Sequence, residues 1–264
     1  MSQTVTDTYF SGQGKVFLGK IDPTTNKPKG FTHVGNAPTF KVAFKIEKEE
    51  KYESMSGNML LTKSIPRKKT ADGTLVIENC SKANLAIALY GAANVVTGTS
   101  VTGESKIAYL GLNIDLLHPG VSAVVVKGTG AKSAKTYVIN KNYTVDATYG
   151  TIYLMTAAEQ TAATATDLIA ESDVLAIDYT FTTYTKTQAF TNTGEEYVVR
   201  MEGVNTAESG DKFLAIVWKF RPEPLKELSL IDDKTGNIEL SGAVMADTSR
   251  ADGDQFFTLV RALA

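Results

Sequence analysis

The chain has 264 residues and a formal net charge of −2, from 27 Lys and Arg against 29 Asp and Glu. This length can bury one large or two ordinary hydrophobic cores without disulfides or metals. A single cysteine, Cys80, excludes an internal disulfide, and with two histidines it leaves too few soft ligands for a zinc site. No basic-then-apolar start and no apolar run of spanning length occur, so we expect neither secretion nor a membrane span.

The first part of the chain predicts two strands, a long loop and one helix. Residues 14–20 and 40–46 alternate apolar and polar side chains, which is typical of strands with one buried face. In residues 47–70 the alternation fades into a charged stretch that is too long and polar for an ordinary turn, so we predict a long loop there. Loops above about 12 residues are usually functional or mobile. Residues 81–90 begin with the N-cap residue Ser81 and precede Gly91, which predicts a helix.

The composition changes between residues 112 and 183, where no Arg, four Lys and seven acidic residues occur. Short β-branched or aromatic segments in this region predict an inserted small β-sandwich of the immunoglobulin-like type; they are 121–126, 137–139, 143–145, 151–154 and 174–181. Residues 1–111 and 184–264 then form a discontinuous outer domain. Its second part predicts strands at 197–201, 213–220, 228–231, 238–244 and 256–260.

Motifs for catalysis or cofactor binding are missing from the sequence. Gly12 and Gly14 lack the third glycine of a dinucleotide-binding loop, and a strand follows them where a helix is needed. His118 precedes Pro119 and is interpreted as a turn residue. Adjacent carboxylates on a strand point to opposite faces and cannot share a substrate. We therefore predict that the protein is not an enzyme and binds no cofactor or metal.

Charge is distributed unevenly along the chain. Residues 41–69 hold eight basic and four acidic groups, whereas residues 223–254 hold three basic and eight acidic groups. Ordinary solvated loops are one interpretation. Complementary faces of a self-associating subunit are the other, since opposite patches set the register of a contact. A nucleic-acid site is less favoured, because the basic run lacks interleaved aromatic residues.

Several motifs follow one another along the chain. They are YFSGQGKVF at 9–17, FTHVGNAP at 31–38, EKEEKYESMSG at 47–57, MEGVNTA at 201–207, FRP at 220–222, LSLI at 228–231 and GAVMAD at 242–247. In this order they resemble the tail tube (major tail) proteins of tailed bacteriophages. The resemblance covers residues 1–111 and 184–264, and the insert matches only loosely, at 142–146 and 150–152.

The resemblance implies a structural virion protein. Its expected fold is mainly β, a tail-tube-type β-sandwich or barrel with one flanking α-helix, plus the inserted domain. Six copies would form a ring, and stacked rings would form the tube through which double-stranded DNA is ejected without specific binding. Partners implied are other copies of the chain, a tape-measure protein, a tail terminator and baseplate or tail-tip proteins. The expected location is the virion tail, assembled in the host cytoplasm.

The resemblance also implies that the charged segment 47–70 contacts a neighbouring subunit or ring. We hypothesise that its basic residues meet acidic residues of another copy, and that the tube wall is acidic or neutral, because a basic wall would retain DNA. The candidate contact residues are Glu50, Tyr52, Glu53, Ser54, Gly57, Arg67, Lys68, Lys69, Asp232, Asp233 and Asp247.

Two alternatives stay open. An outward insert of about 11 Å radius of gyration would obstruct a contractile sheath, which favours a non-contractile tail over the inner tube of a contractile injection machine. The second alternative is a phage or bacterial β-sandwich module that binds carbohydrate or another surface. Trp218 is the single tryptophan, and it lies in a strand pattern with Phe213 and Phe220, which favours a core position over a sugar platform.

Overall fold

The computed structural model describes residues 8–208, 210–231, 233 and 235–261, and its fold is mainly β, as predicted. One compact unit combines the chain up to Ala93 with the chain from Thr187 on, and the other is Asn94–Lys186. In chain order the elements are β1 (Gly12–Lys20), β2 (Thr32–His33), β3 (Thr39–Tyr52), β4 (Leu61–Ile77), α1 (Lys82–Ala88), β5 (Ala92–Val96), β6 (Ser100–Ile107), β7 (Asn113–Asp115), β8 (Val121–Gly128), a 3₁₀ turn (Gly130–Lys132), β9 (Thr136–Tyr137), β10 (Tyr143–Asp146), β11 (Thr151–Leu154), α2 (Ala157–Ala162), β12 (Val174–Phe181), β13 (Tyr184–Gln188), β14 (Tyr197–Asn205), β15 (Asp211–Pro222), β16 (Ile238–Val244) and β17 (Phe257–Arg261).

The first unit is built on an eight-stranded sheet. Its order is β2-β1-β14-β15-β16-β4-β3, and β17 adds to β15. Neighbouring strands in it run antiparallel, for example β1 beside β14 and β16 beside β4. Alternate side chains of these strands form a core with α1. Leu75, Ile77, Ile238 and Leu240 in that core are almost completely buried.

Helix α1 confirms the predicted helix, but Gly91 has a different role from the one expected. The Ser81 hydroxyl accepts a hydrogen bond from the Asn84 amide at 3.3 Å, so it caps the helix as predicted. The left-handed residue after the helix is Tyr90, with a φ of 49°. Gly91 is required by close packing instead, because an added Cβ would overlap the carbonyl oxygen of Gln188.

The second unit contains two sheets, one of the order β6-β12-β8-β9 and one of the order β10-β11-β7. Buried side chains from both sheets, such as Val126, Ile152 and Ile177, form one core. The unit begins at Asn94 rather than at the predicted residue 112, because β6 pairs with β12. Gly103 in β6 has a φ of 70° and interrupts the alternation that would have revealed this strand. Strands β5 and β13 form a separate two-stranded sheet.

A second helix, α2, lies in the inserted unit, where the sequence predicted strands and turns alone. Thr156 and Glu159 form a capping box around its first turn. The helix spans Ala157–Ala162, which is too short to show helical periodicity in the sequence. The T-x-x-E spacing was the signal that could have revealed it.

The strand predicted at residues 228–231 is absent. Leu230 and Ile231 are 86 % and 99 % exposed, and residues 223–231 have no strand assignment. Pro224 follows the last residue of β15 and cannot donate a backbone hydrogen bond to a sheet, so the pairing of β15 does not continue into residues 228–231. An apolar sequence alone was therefore not enough to form a strand here.

Candidate functional site: a hairpin arm and an aromatic groove

Residues 47–70, predicted as a loop, instead form most of a long β-hairpin between β3 and β4. We call residues 45–70 the arm. Its two strands pair from Lys45 opposite Thr70 to Tyr52 opposite Leu61. Strand β16 pairs with β4 from Ala71 to Ile77. Among the described strands, the part of β4 before Ala71 therefore pairs with β3 alone. Both faces of the arm are exposed to solvent, so its strands do not need alternating apolar side chains. The sequence therefore lacks the pattern that predicts a strand.

Ion pairs connect the two strands of the arm. Arg67 Nε lies 2.6 Å from a carboxylate oxygen of Glu49, and Lys68 Nζ lies 3.7 Å from Glu47. Exposed pairs of this kind contribute about 0–1 kcal/mol each to stability. Two of the three basic residues predicted to contact another copy thus have partners within their own hairpin.

The tip of the arm is organised around Glu53. Its carboxylate accepts hydrogen bonds from the backbone amides of Met55 and Ser56, at 3.0 and 3.1 Å, and from the Ser56 hydroxyl. These bonds stabilise the charged form and lower the pKa of Glu53. Gly57 completes the turn with a φ of 75°. Glu53 and Gly57 therefore shape the turn, while Ser54 beside them is exposed.

The tip is also apolar. Met55 is 95 % exposed, and other large side chains near it are more than half exposed. Behind the turn, the Tyr52 hydroxyl donates a hydrogen bond to Glu50 at 2.5 Å, and this bond raises the pKa of Tyr52. Clustered apolar side chains on an exposed tip are typical of a contact surface. They are Tyr52, Met55, Met59, Leu60 and Leu61.

A groove lies at the base of the arm. Phe44 and Phe257 meet edge to face there, with ring centroids 6.0 Å apart. We call this cavity, of about 440 Å³, the aromatic groove. Phe44 and Ile46 are 61 % and 50 % exposed beside it. Its apolar lining is Phe44, Ile46, Phe256 and Phe257, and its basic lining is Lys45 and Lys69.

The two acidic candidates that the structure describes, Asp233 and Asp247, form no ion pair with the arm. Asp247 accepts hydrogen bonds from the amide and hydroxyl of Ser249, at 3.1 and 2.6 Å, and so serves a local turn. Asp233 is exposed, and Asp232 lies outside the described residues. Among the described residues, none of these acids forms an ion pair with the arm. Their contact with the basic residues of another copy stays a prediction.

His118, weighed above for catalysis, and Trp218, weighed above for sugar binding, both make contacts within the fold. The His118 ring stacks on Phe181 with centroids 3.8 Å apart, and its Nδ1 lies 3.0 Å from the hydroxyl of Tyr184. Trp218 donates to the Thr258 hydroxyl at 2.8 Å, and the Arg250 guanidinium covers its ring at 3.3 Å from the centroid. The ring therefore offers no open face for a sugar on the side that Arg250 covers.

Within residues 8–208, 210–231, 233 and 235–261, no group of three or more His, Cys, Asp or Glu side chains is arranged to hold a metal ion. No helix in that part of the chain has the length and apolar character needed to cross a membrane.

The sequence does not predict the aromatic groove. Alternation over residues 40–46 predicts Phe44 and Ile46 as buried positions of a strand, although the structure leaves them exposed. Phe256 and Phe257 belong to the strand predicted at residues 256–260. One signal in the sequence could have indicated this exposure. The alternation of residues 40–46 runs directly into the charged segment, which contains no apolar strand pattern that could cover Phe44 and Ile46.

Comparison with known families gives a match over both units. The family model with the description "Protein of unknown function UCP028589" matches residues 9–260. No curated protein matches the chain. The matched range includes the arm and the aromatic groove.

Proposed function

The chain belongs to the family described as "Protein of unknown function UCP028589", so its role has to be argued from its own residues, and we propose a structural virion protein. In this proposal the chain assembles into stacked hexameric rings that form a phage tail tube, the conduit for DNA ejection. Its partners are other copies of itself, a tape-measure protein, a tail terminator and baseplate or tail-tip proteins. Double-stranded DNA passes through the tube without specific binding.

The observation that carries the proposal is the exposed arm. An isolated two-stranded hairpin is marginally stable in water, because it has no hydrophobic face to bury. The arm nevertheless presents Met55 and Leu60 to solvent at its tip, at 95 % and 58 % exposure. A subunit that buries this tip against another subunit gains apolar burial at about 25 cal/mol per Å². The arm is thus suited to an assembly more than to a monomer.

Free strand edges support the same proposal. Strand β3 ends the described path of the eight-stranded sheet, and over its 14 residues it pairs with β4 alone. Long free edges promote association in monomers, and ring closure supplies them with partners. Stacking of rings is a head-to-tail contact that does not close, so it produces a filament.

Negative-stain electron microscopy of the purified protein over a concentration series tests the proposal. We expect rings and tubes whose fraction rises with concentration, and light scattering during chromatography should give the mass of the first closed species. If the protein stays monomeric at all concentrations, a seed of tail-tip complex is added. A monomer that persists with the seed present contradicts the proposal.

A further inference from the structure

We propose that the arm tip of one copy docks into the aromatic groove of the next copy. The inference rests on the proposed function, because it names the surface that receives the arm during assembly. The occupant is a second copy of this chain, since the tip and the groove are both present on each chain.

Apolar complementarity is the first argument. The tip carries three flexible side chains, Met55, Met59 and Leu60, that are 95 %, 63 % and 58 % exposed. Methionine fills irregular apolar spaces well and packs favourably on aromatic rings. The groove supplies such rings from Phe44 and Phe257, within a cavity of about 440 Å³.

Charge complementarity is the second argument. Residues 52–62 contain one charged residue, the acid Glu53. The groove contains Lys45 and Lys69, whereas the arm's own ion pairs among the described residues use Lys68 and Arg67. An acidic apolar tip therefore fits a basic apolar groove, and the opposite signs fix the register of the contact.

Geometry requires that the contact be between copies. The groove lies at Lys45 and the tip begins after Tyr52, at opposite ends of the same paired strands. Seven strand residues at about 3.3 Å each separate them by about 23 Å. A paired hairpin cannot bring its own tip back to its own base. Each copy thus receives one tip and offers another, which is a heterologous contact that propagates.

Disulfide crosslinking between two single-cysteine chains tests the inference. Both chains carry Cys80→Ser; one also carries Met59→Cys in the tip, and the other carries Gln255→Cys at the groove rim. After mixing and mild oxidation under assembly conditions, we expect a crosslinked heterodimer on a non-reducing gel. The matched control replaces Gln255→Cys with Tyr149→Cys, an exposed position of the other unit, and should give little heterodimer.

Charge reversal provides a second measurement that does not disturb the core. Lys69→Glu should reduce the yield of the Met59–Gln255 crosslink several-fold, because it places a carboxylate opposite Glu53. Lys41→Glu is the matched control, since Lys41 is an exposed lysine of β3 outside the groove lining. Its crosslink yield should equal that of the parent pair.

The outcomes separate this inference from the proposed function. Rings and tubes in the microscope without the Met59–Gln255 crosslink overturn the docking site and leave the tube proposal standing. Equal effects of Lys69→Glu and Lys41→Glu also overturn it. Absence of association at every concentration and with the seed overturns both.

Discussion

Arg67 pairs with Glu49 in the structure and is predicted to pair with acids of another copy in an assembly. The first pair would stabilise the hairpin, and the second would stabilise the assembly. Exposed pairs contribute about 0–1 kcal/mol to folding, so loss of the first partner alone should leave the monomer folded. The two partners can therefore be separated by experiment.

We expect Arg67→Glu to impair assembly while the thermal unfolding midpoint of the monomer changes little. The charge swap Arg67→Glu with Glu49→Arg restores the pair within the arm but removes the basic group from position 67. Sedimentation velocity measures assembly, and circular dichroism measures unfolding. Normal assembly of the swapped protein would show that Arg67 acts within its own hairpin and would contradict a contact with another copy.

Glu53 gives the arm tip a dependence on pH. Its pKa is lowered in the folded chain by hydrogen bonds from Ser56 and Met55. A lowered pKa means that the stabilisation is complete above the unfolded pKa and is lost as pH falls through the folded pKa. We expect the tip turn to stay intact at neutral pH and to open in acid, as the pH falls below the ordinary glutamate pKa of 4.5 and through the lower pKa of the folded chain.

Amide hydrogen exchange of Met55 and Ser56 measures this opening. Both amides donate to Glu53, so their exchange, corrected for its intrinsic pH dependence, should accelerate in acid. In Glu53→Gln the same amides should exchange at a corrected rate that is independent of pH. Protection that persists in acid in the parent protein would show that the carboxylate does not organise the turn.

At the scale of elements, the arm and α2 show where sequence patterns stop being informative. Alternation of apolar side chains predicts strands that have one buried face, and β1 was found this way. The arm has no buried face, so its strands depend on pairing between β3 and β4 that is visible only after folding. Helix α2 is too short for periodicity, although its capping box is present in the sequence.

Two buried amides anchor α2 to the inserted unit. Gln160 is fully buried, accepts from the Ile169 amide at 2.8 Å and donates to the carbonyls of Met155 and Ile169. Asn142, also buried, donates to Gln160 at 2.9 Å. Buried polar groups that lose a partner cost about 1–3 kcal/mol each. This network is therefore an important source of stability for the unit.

We expect Gln160→Leu to lower the free energy of unfolding of the inserted unit. The expected loss is about 1–3 kcal/mol for each backbone group left unpaired, and more than one such group loses its partner. Thr161→Ala, on the exposed face of the same helix, is the control and should change little. Hydrogen exchange of the Ile169 and Val138 amides reports on this network. Equal protection of both amides in the parent and Gln160→Leu would contradict the assignment.

At the scale of the whole molecule, the change of composition predicts an insert at residues 112–183, whereas the structure divides into the unit Asn94–Lys186 and a unit formed by the rest of the chain. The start of the second unit was misplaced because β6, whose alternation is interrupted at Gly103, belongs to its sheet. The contact residues were harder to predict. Tip residues such as Glu53 stand out by charge, whereas Phe257 becomes part of a groove only when β17 and the arm base come together.

We expect the first unit to unfold at the same temperature whether or not the insert is present. Trp218 is the single tryptophan and lies in the first unit, so its fluorescence reports on that unit alone. Replacement of residues 98–182 by a short turn should leave its thermal transition close to that of the parent chain, because the core of the first unit uses none of these residues. A transition that is lost or far lower would show that the first unit needs the insert.

The pairing of β5 with β13 has a consequence for engineering. Strands β5 and β13, at which the chain leaves the first unit and returns to it, are hydrogen-bonded neighbours, and paired strands lie about 5 Å apart. Many small domains have termini that lie close together. The position between β5 and β13 is therefore a natural graft site, at which a foreign domain could be displayed once per subunit along any assembly that the chain forms.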